Sequence, residues 1–421
     1  MKTRLFFIPA LSILLTGGCT VGPDYHQPAM SVPLKWSEPL AGGETANADA
    51  YSLATWWKSF NDPELNSLIE RSVKANLDLR IAEARVREAR AQTGMAEADY
   101  YPTVDASGSA VRKRMSQNDD SVMPASLSPP YDLYKAGFDA SWEIDVFGGT
   151  RRTVEADNAE VSAAEFSRQD VLVTLLGEVA RNYMEVRGVQ RRLAIAQESI
   201  QAQEDVLALT REHYEQGLSN YLDIQRSATL LTMTQAEVPA LESSLKMSIH
   251  HLGILLNQPP GALLEELAKS TPIPVAPPKV PVGLPSDLLQ RRPDVQQAER
   301  ELAAQTARIG VATADLFPKF SLTGMAGLGS VNASNWFSSG SQFWTLGPTV
   351  QWRIFDAGRI KANIQMQNAI QEEVLARYEK TVLASFEDVE NALVAYANEH
   401  TRRNLLVQAV TSSREALSSA T

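Results

Sequence analysis

Residues 172–214 read LVTLLGEVARNYMEVRGVQRRLAIAQESIQAQEDVLALTREHY, and within them Leu172, Val179, Val186, Leu193, Ile200 and Leu207 stand seven apart, with Tyr214 extending the row. A seven-residue apolar beat keeps one seam of a helix turned toward a partner, and a run this long points to a coiled coil or bundle. No proline interrupts it. Extended from Arg151 to Gln216, the helix would be on the order of 100 Å long at about 1.5 Å per residue. Tyr214-Glu215-Gln216-Gly217-Leu218-Ser219-Asn220 then supplies a turn, with Gly217 suited to a left-handed helix stop and Ser219 or Asn220 to a new N-cap. The beat resumes at Ile224, Leu231, Val238, Leu245 and Leu252. The pattern predicts a long antiparallel helical hairpin, kinked near Pro239, with Gly217 at its tip. By itself such a hairpin also fits a soluble helical bundle.

Upstream, Asp62-Pro63-Glu64 opens a helix by N-cap, N1 proline and acidic first turn, and the pattern carries it to about Ala98 before Pro102 ends it. Sliding the chain against itself by 216 residues aligns Asp78–Pro102 with Asp294–Pro318. Nine of the 25 positions are identical, Gly94 with Gly310 and Asp99 with Asp315 among them, which marks a duplicated unit. After each copy come alternating segments. Phe138, Ala140, Trp142, Ile144 and Val146 alternate with Gly137, Asp139, Ser141, Glu143 and Asp145. Trp344, Leu346, Pro348, Val350, Trp352 and Ile354 alternate with Thr345, Gly347, Thr349, Gln351 and Arg353. Val104–Ala110 and Phe320–Leu328 are their expected partners. Strands apolar on one face and polar on the other are what a membrane barrel with a wet lumen requires, although two soluble hairpins with one buried face read alike.

Each hairpin returns to a long helix, where Val382, Val389, Tyr396, Arg403, Val410 and Leu417 echo the first heptad row. The boundaries that follow are a signal segment at 1–18, an N-terminal arm at 19–61, a first repeat at 62–256, a proline-rich linker at 257–285 and a second repeat at 286–421. The second copy reaches Thr421 where a counterpart of the Gly217 turn and its return helix is expected, so the sequence reads as a shortened version of a longer protein. Four strands cannot close a barrel, and unpaired edge groups in lipid cost several kcal/mol each. Two chains would supply eight strands and three chains twelve, and periodicity does not choose.

The 421 residues, 44% hydrophobic and 21% charged, can bury a sizeable core, and a formal charge of -11 excludes a phosphate backbone as partner. Lys2 and Arg4 precede an apolar run, Leu5–Leu15, too short to span a bilayer, which is an export signal. It leads through Gly17-Gly18 to Cys19, the single cysteine, where a lipoprotein signal places the residue to be acylated. Acylation there predicts N-acyl and S-diacylglycerol chains as the covalent additions, with no other cofactor. Thr20 in place of aspartate implies the outer membrane. The arm that follows offers Trp36, Trp56 and Trp57 as docking anchors.

Catalytic chemistry is thin. Ser243-Ser244-Leu245-Lys246 spells an acyl-transfer motif but sits on the heptad helix without companion motifs. His250 and His251 are adjacent and point to different sides, unlike the i, i+4 pair of a helical metal site. Gly324–Gly329 falls in an expected strand, where glycine marks close packing. Neither enzyme activity nor a metal is expected.

Val21-Gly22-Pro23-Asp24-Tyr25, Leu284-Pro285-Ser286-Asp287 through Arg292-Pro293-Asp294, Leu316-Phe317-Pro318-Lys319 and Tyr214-Glu215-Gln216-Gly217-Leu218-Ser219-Asn220-Tyr221-Leu222 together resemble the outer-membrane channel proteins of tripartite efflux pumps, the TolC-like family in its NodT-type lipoprotein branch. The resemblance implies an α+β membrane protein, with an antiparallel α-helical coiled-coil barrel in the periplasm and a trimeric 12-stranded transmembrane β-barrel of four strands per protomer. It implies a passive exit duct in the outer membrane, a periplasmic adaptor and an inner-membrane resistance-nodulation-division-type pump as partners, and no nucleic acid. It also places Tyr214, Gly217, Tyr221 and Leu222 at the periplasmic tip where the adaptor docks, with Asp223 and Arg226 as candidates for the constriction. A type I protein-secretion duct and a non-porous envelope scaffold are the competing readings.

Overall fold

The computed structural model describes residues 20–37, 44–45, 54–114, 130–275, 280–281 and 283–420. The expected signal segment, Cys19 and most of the loop between the first two strands lie outside the described residues. In chain order the main elements are α1 (Pro63–Ala75), α2 (Leu77–Ala98), β1 (Thr103–Lys113), β2 (Tyr131–Ile144), α3 (Gly149–Glu215), α4 (Tyr221–Leu255), α5 (Pro293–Ala314), β3 (Lys319–Ser330), β4 (Gln342–Gln351) and α6 (Arg359–Ala420). Among the described residues no helix is long and apolar enough to cross a membrane. The chain divides into two compact units: residues up to 30, 86–164 and 297–381 form one, and 31–85, 165–296 and 382 onward the other.

The first unit holds a four-stranded antiparallel sheet in the order β1-β2-β3-β4, so among the described residues β1 and β4 each leave one edge unpaired. Its register places Ala106, Phe138, Ala326 and Trp344 across from one another in one row, and Asp105, Asp139, Met325 and Thr345 in the next. Largely polar rows thus alternate with largely apolar ones, Met325 and Phe343 being the large apolar residues on the polar side. The alternation was expected to run on to Val146, Trp352 and Ile354, but β2 stops at Ile144 and β4 at Gln351. The cause is an acid that turns the chain into the next helix. Asp145 accepts the backbone N–H groups of Thr150 and Arg151 at 3.2 and 3.0 Å, and Asp356 accepts those of Gly358 and Ile360, both at 2.9 Å. These donated hydrogen bonds hold the Asp356 carboxyl below its usual range.

In the same unit the arm is locked down. The buried Arg152 guanidinium donates to the Val21 carbonyl at 3.1 Å and to Asp24 at 2.7 Å. Gly22, at φ 89°, lies so close to Gly310 that a Cβ would come within 2.4 Å of its Cα. Burial, then donation to Glu299, pushes the Tyr25 phenol up.

The second unit is built on the heptad seam. Val179, Tyr183 and Val186 of α3 are fully buried against Leu65, Leu68 and Ile69 of α1 and Ile249 and Leu252 of α4. The linker joins this core through Leu263 and Leu267, which its proline content conceals. Trp36 is buried and donates to the Gly283 carbonyl at 2.9 Å, and Trp57 packs against the core. Asp62 caps α1 as its sequence predicts, accepting from Glu64 and Leu65, both at 2.9 Å, while its second oxygen accepts from the Tyr183 hydroxyl at 2.8 Å.

One expectation is corrected here: the helix from Pro63 does not run unbroken to Ala98. It breaks at Asn76, which is extended at ψ 135°. Asn76 is buried, donates to the Leu255 carbonyl at 3.0 Å and accepts from the Leu79 N–H at 3.0 Å, so its side chain takes over the bonds that the broken turn gives up. Arg292, the residue 216 positions on, is extended in the same way at ψ 119° between the single turn Leu288–Arg291 and α5.

Candidate functional site

Two places carry chemistry relevant to a conduit: the turn between α3 and α4, and the two faces of the sheet. At the turn, Gly217 adopts φ 73° and the Leu218 N–H reaches back to the His213 carbonyl at 2.8 Å while the Gly217 N–H bonds Tyr214 at 2.9 Å. This is a Schellman stop, which needs a residue free of a Cβ at the left-handed position. Asn220, rather than Ser219, caps α4. Its side chain accepts from the Asp223 N–H at 3.0 Å and the Asp223 carboxylate accepts from the Asn220 N–H at 3.4 Å, a reciprocal capping box. Ser219 instead donates to the Thr210 carbonyl at 3.3 Å.

With its backbone groups satisfied, the turn holds its apolar side chains outward. Tyr214 and Tyr221 have ring centroids 6.3 Å apart, and Leu218, Tyr221 and Leu222 are exposed. These side chains form an exposed apolar cluster that the turn does not bury. Of the residues considered for a constriction, Asp223 is engaged in the cap. Arg226 is exposed and lies 3.8 Å from Asp223, a surface pair worth at most about 1 kcal/mol.

The sheet inverts the usual burial rule. Phe138, Trp344, Leu346 and Val350 share its apolar face and are 62%, 78%, 67% and 59% exposed. In water such a surface would be a severe liability, whereas against hydrocarbon it is the stable arrangement. Aromatic residues gather at both ends of the strands. Near the helices, Phe147 and Phe317 stack at 4.5 Å, and Trp142 and Trp352 donate to the Tyr100 and Leu316 carbonyls at 2.9 and 3.1 Å. At the far end Trp336 lies 6.0 Å from Tyr134. Two aromatic girdles flanking an apolar band are the outline of an outer-membrane strand set. Among the described residues no cluster of histidines and acids is arranged to hold a metal.

Arg152 and the Gly22–Gly310 approach were not singled out by the sequence as site elements. The identity of Gly94 with Gly310 in the duplicated segment was the available signal, but it gave no hint that the second glycine admits the arm.

Comparison with known proteins converges on one family. The family described as outer membrane efflux protein matches residues 68–258 and 284–421. Nodulation protein T of Rhizobium leguminosarum bv. trifolii is 33% identical over 426 residues, covering 99% of this chain and 87% of that protein. The solvent efflux pump outer membrane protein SrpC of Pseudomonas putida is 32% identical over 393 residues, covering 92% and 82%. The solved outer-membrane channel OprN superposes with a TM-score of 0.87 at 36% identity, covering 94% of this chain and 87% of that one. A sheet whose exposed face suits lipid, joined to helices that suit water, is what that likeness requires, and the chain belongs to the outer membrane efflux protein family, whose members are exit channels of the outer membrane.

Proposed function

We propose that three copies of this chain close a twelve-stranded barrel in the outer membrane, and that the assembly is the passive final duct of a tripartite efflux system. The observation that carries this is the sheet itself: a two-faced, four-stranded antiparallel sheet with both edges unpaired among the described residues. The unpaired N–H and C=O groups of β1 and β4 cost several kcal/mol each in hydrocarbon, so edges must join between copies. Three copies bring the strand number to one with room for an aqueous lumen lined by the polar face that carries Asp139 and Thr345. The sequence likeness to the solvent efflux protein SrpC supports small organic solutes as cargo.

In this reading the Gly217 turn is the periplasmic tip. Tyr214, Tyr221 and Leu222 dock a periplasmic adaptor, and Asp223 and Arg226 stand near the constriction that the adaptor and an inner-membrane pump relieve. Cys19 carries the lipid. Its neighbour Thr20 packs on Gly148, a few residues past the end of β2, which would hold acyl chains at the level of the lower aromatic girdle.

The test is single-channel recording in planar bilayers with the purified full-length protein. Discrete conductance steps are expected, and larger ones when Tyr221→Ala loosens the tip. A protein that seals bilayers without steps would overturn the duct and favour a non-porous scaffold. Fatty-acid labelling that disappears in Cys19→Ser supports the anchor, and unchanged label refutes it.

A further inference from the structure

Within 103–109, 135–143, 319–329 and 343–351, the polar face of the sheet is made of Asp, Glu, Ser, Thr, Lys, Gln and Gly with two exceptions, Met325 and Phe343. Phe343 sits across from Gly327, which sits across from Gly137. Its ring covers two glycines: a Cβ on Gly327 would lie 3.0 Å from its Cζ, and one on Gly329 would lie 3.5 Å from Cδ1 and Cε1. This large aromatic ring, half-buried on a bed of glycines, stands in a wall that apart from Met325 is polar.

The next row supplies charge. Asp105, Asp139, Met325 and Thr345 stand side by side across the four strands, and they border a recess of about 360 Å³. That volume lies within the ~300–1,000 Å³ of sites for small organic ligands. Met325 is 46% exposed, and Ser107 orients the Asp139 carboxylate by donating to it at 3.1 Å. From Phe343 to Asp139 is two strand spacings across and one two-residue repeat along, about 12 Å at the backbone. The diagonal Phe343, Met325, Asp139 therefore offers a ring, a polarisable thioether and a carboxylate within the length of a fused-ring molecule bearing an amine or quaternary nitrogen.

We propose that Phe343 is a specificity-determining residue of the duct, a stacking platform for planar aromatic solutes that carry positive charge. The inference rests on the reading of the polar face as the lumen wall. Met325 extends the apolar contact, and the Asp105 and Asp139 carboxylates meet the charge. Filling of glycine space accounts for the ring staying down, yet it requires neither the neighbouring thioether nor the opposed acids.

The experiment uses the full-length protein in lipid vesicles and propidium, a planar aromatic dication, with affinity read from its fluorescence. Phe343→Ser is expected to weaken binding about tenfold, in the range of one aromatic stacking contact. Phe343→Trp should retain binding, and Asp139→Asn should weaken it without changing the binding of a neutral planar dye. Equal affinity in the unsubstituted protein and Phe343→Ser overturns the inference, as does equal loss in the Ser and Trp variants, which would make the ring structural. Labelling of Thr349→Cys by a membrane-impermeant thiol reagent, above the level of the unsubstituted protein, separates the two readings. No labelling means that the polar face lines no water-filled lumen, and the duct itself fails. Labelling with propidium binding indifferent to Phe343 leaves the duct standing and removes the platform.

Discussion

The core around Tyr183 and the β1–β4 sheet use the same residue types to opposite ends. In the core, Leu252, Val179 and Val186 are sealed from solvent on every side. In the sheet, Leu346, Val350 and Trp344 stand largely exposed. Both regions obey strict periodicity, seven in one and two in the other, so the difference lies in what completes each face. Around Tyr183 the helices complete one another within a single chain, whereas the sheet is left facing hydrocarbon and, among the described residues, lacks neighbours at two edges. Apolar periodicity therefore says which face is turned away from water, and burial says whether protein or lipid takes its place.

The largest effect belongs to the core. Leu252→Ala should cost about 2–5 kcal/mol, seen as a drop in the unfolding midpoint followed by circular dichroism, because a fully buried side chain leaves a cavity. A cost well under 1 kcal/mol would break the comparison by showing that the seam is not sealed. Next come adjacent residues of β4. Leu346→Lys should cost about 2–4 kcal/mol in urea titrations of folding into vesicles, while Thr345→Lys, one residue earlier on the other face, should cost far less. Equal costs would mean that the two faces meet the same medium.

The paired helix breaks sharpen the comparison within the helices. Asn76→Ala removes a buried side chain, leaves the Leu255 carbonyl and the Leu79 N–H without it, and should destabilise by about 1–3 kcal/mol. Arg292→Ala loses ion pairs to Asp294 and Asp388 at 2.7 and 3.0 Å that are partly open to water, and should cost about 1 kcal/mol or less. The smallest effect is confined to alkali. Burial, then donation to Asp62, pushes the Tyr183 phenol up to about 12. A raised folded-state value stabilises fully below the unfolded value near 10 and is lost as pH rises through about 12. Melting curves should fall between those limits, and Tyr183→Phe should flatten the fall.

Much of this was legible because long-range order here is periodic. The heptad row, the Gly217 stop, the Asp62 cap and the alternating strands each announce themselves within a few residues, and local chemistry decides them. What stayed hidden depended on partners distant in the chain. Asn76 reads as an ordinary helix residue until the Leu255 carbonyl, 179 residues away, is seen to accept its amide. Leu263 and Leu267 are masked by proline-rich surroundings, and Arg152 looks like one more charge at a helix start until the arm closes over it. Strand ends were overrun because alternation persists to Val146 and Ile354, and only hydrogen bonds show Asp145 and Asp356 starting helices. At the tip, spacing found the turn but could not tell Ser219 from Asn220 as the cap.

The central claim is that no single copy can satisfy the edges of β1 and β4. Light scattering on the purified full-length protein in detergent tests it most directly. A stable particle of three chains is predicted, and a persistently monomeric protein with folded strands would contradict the account.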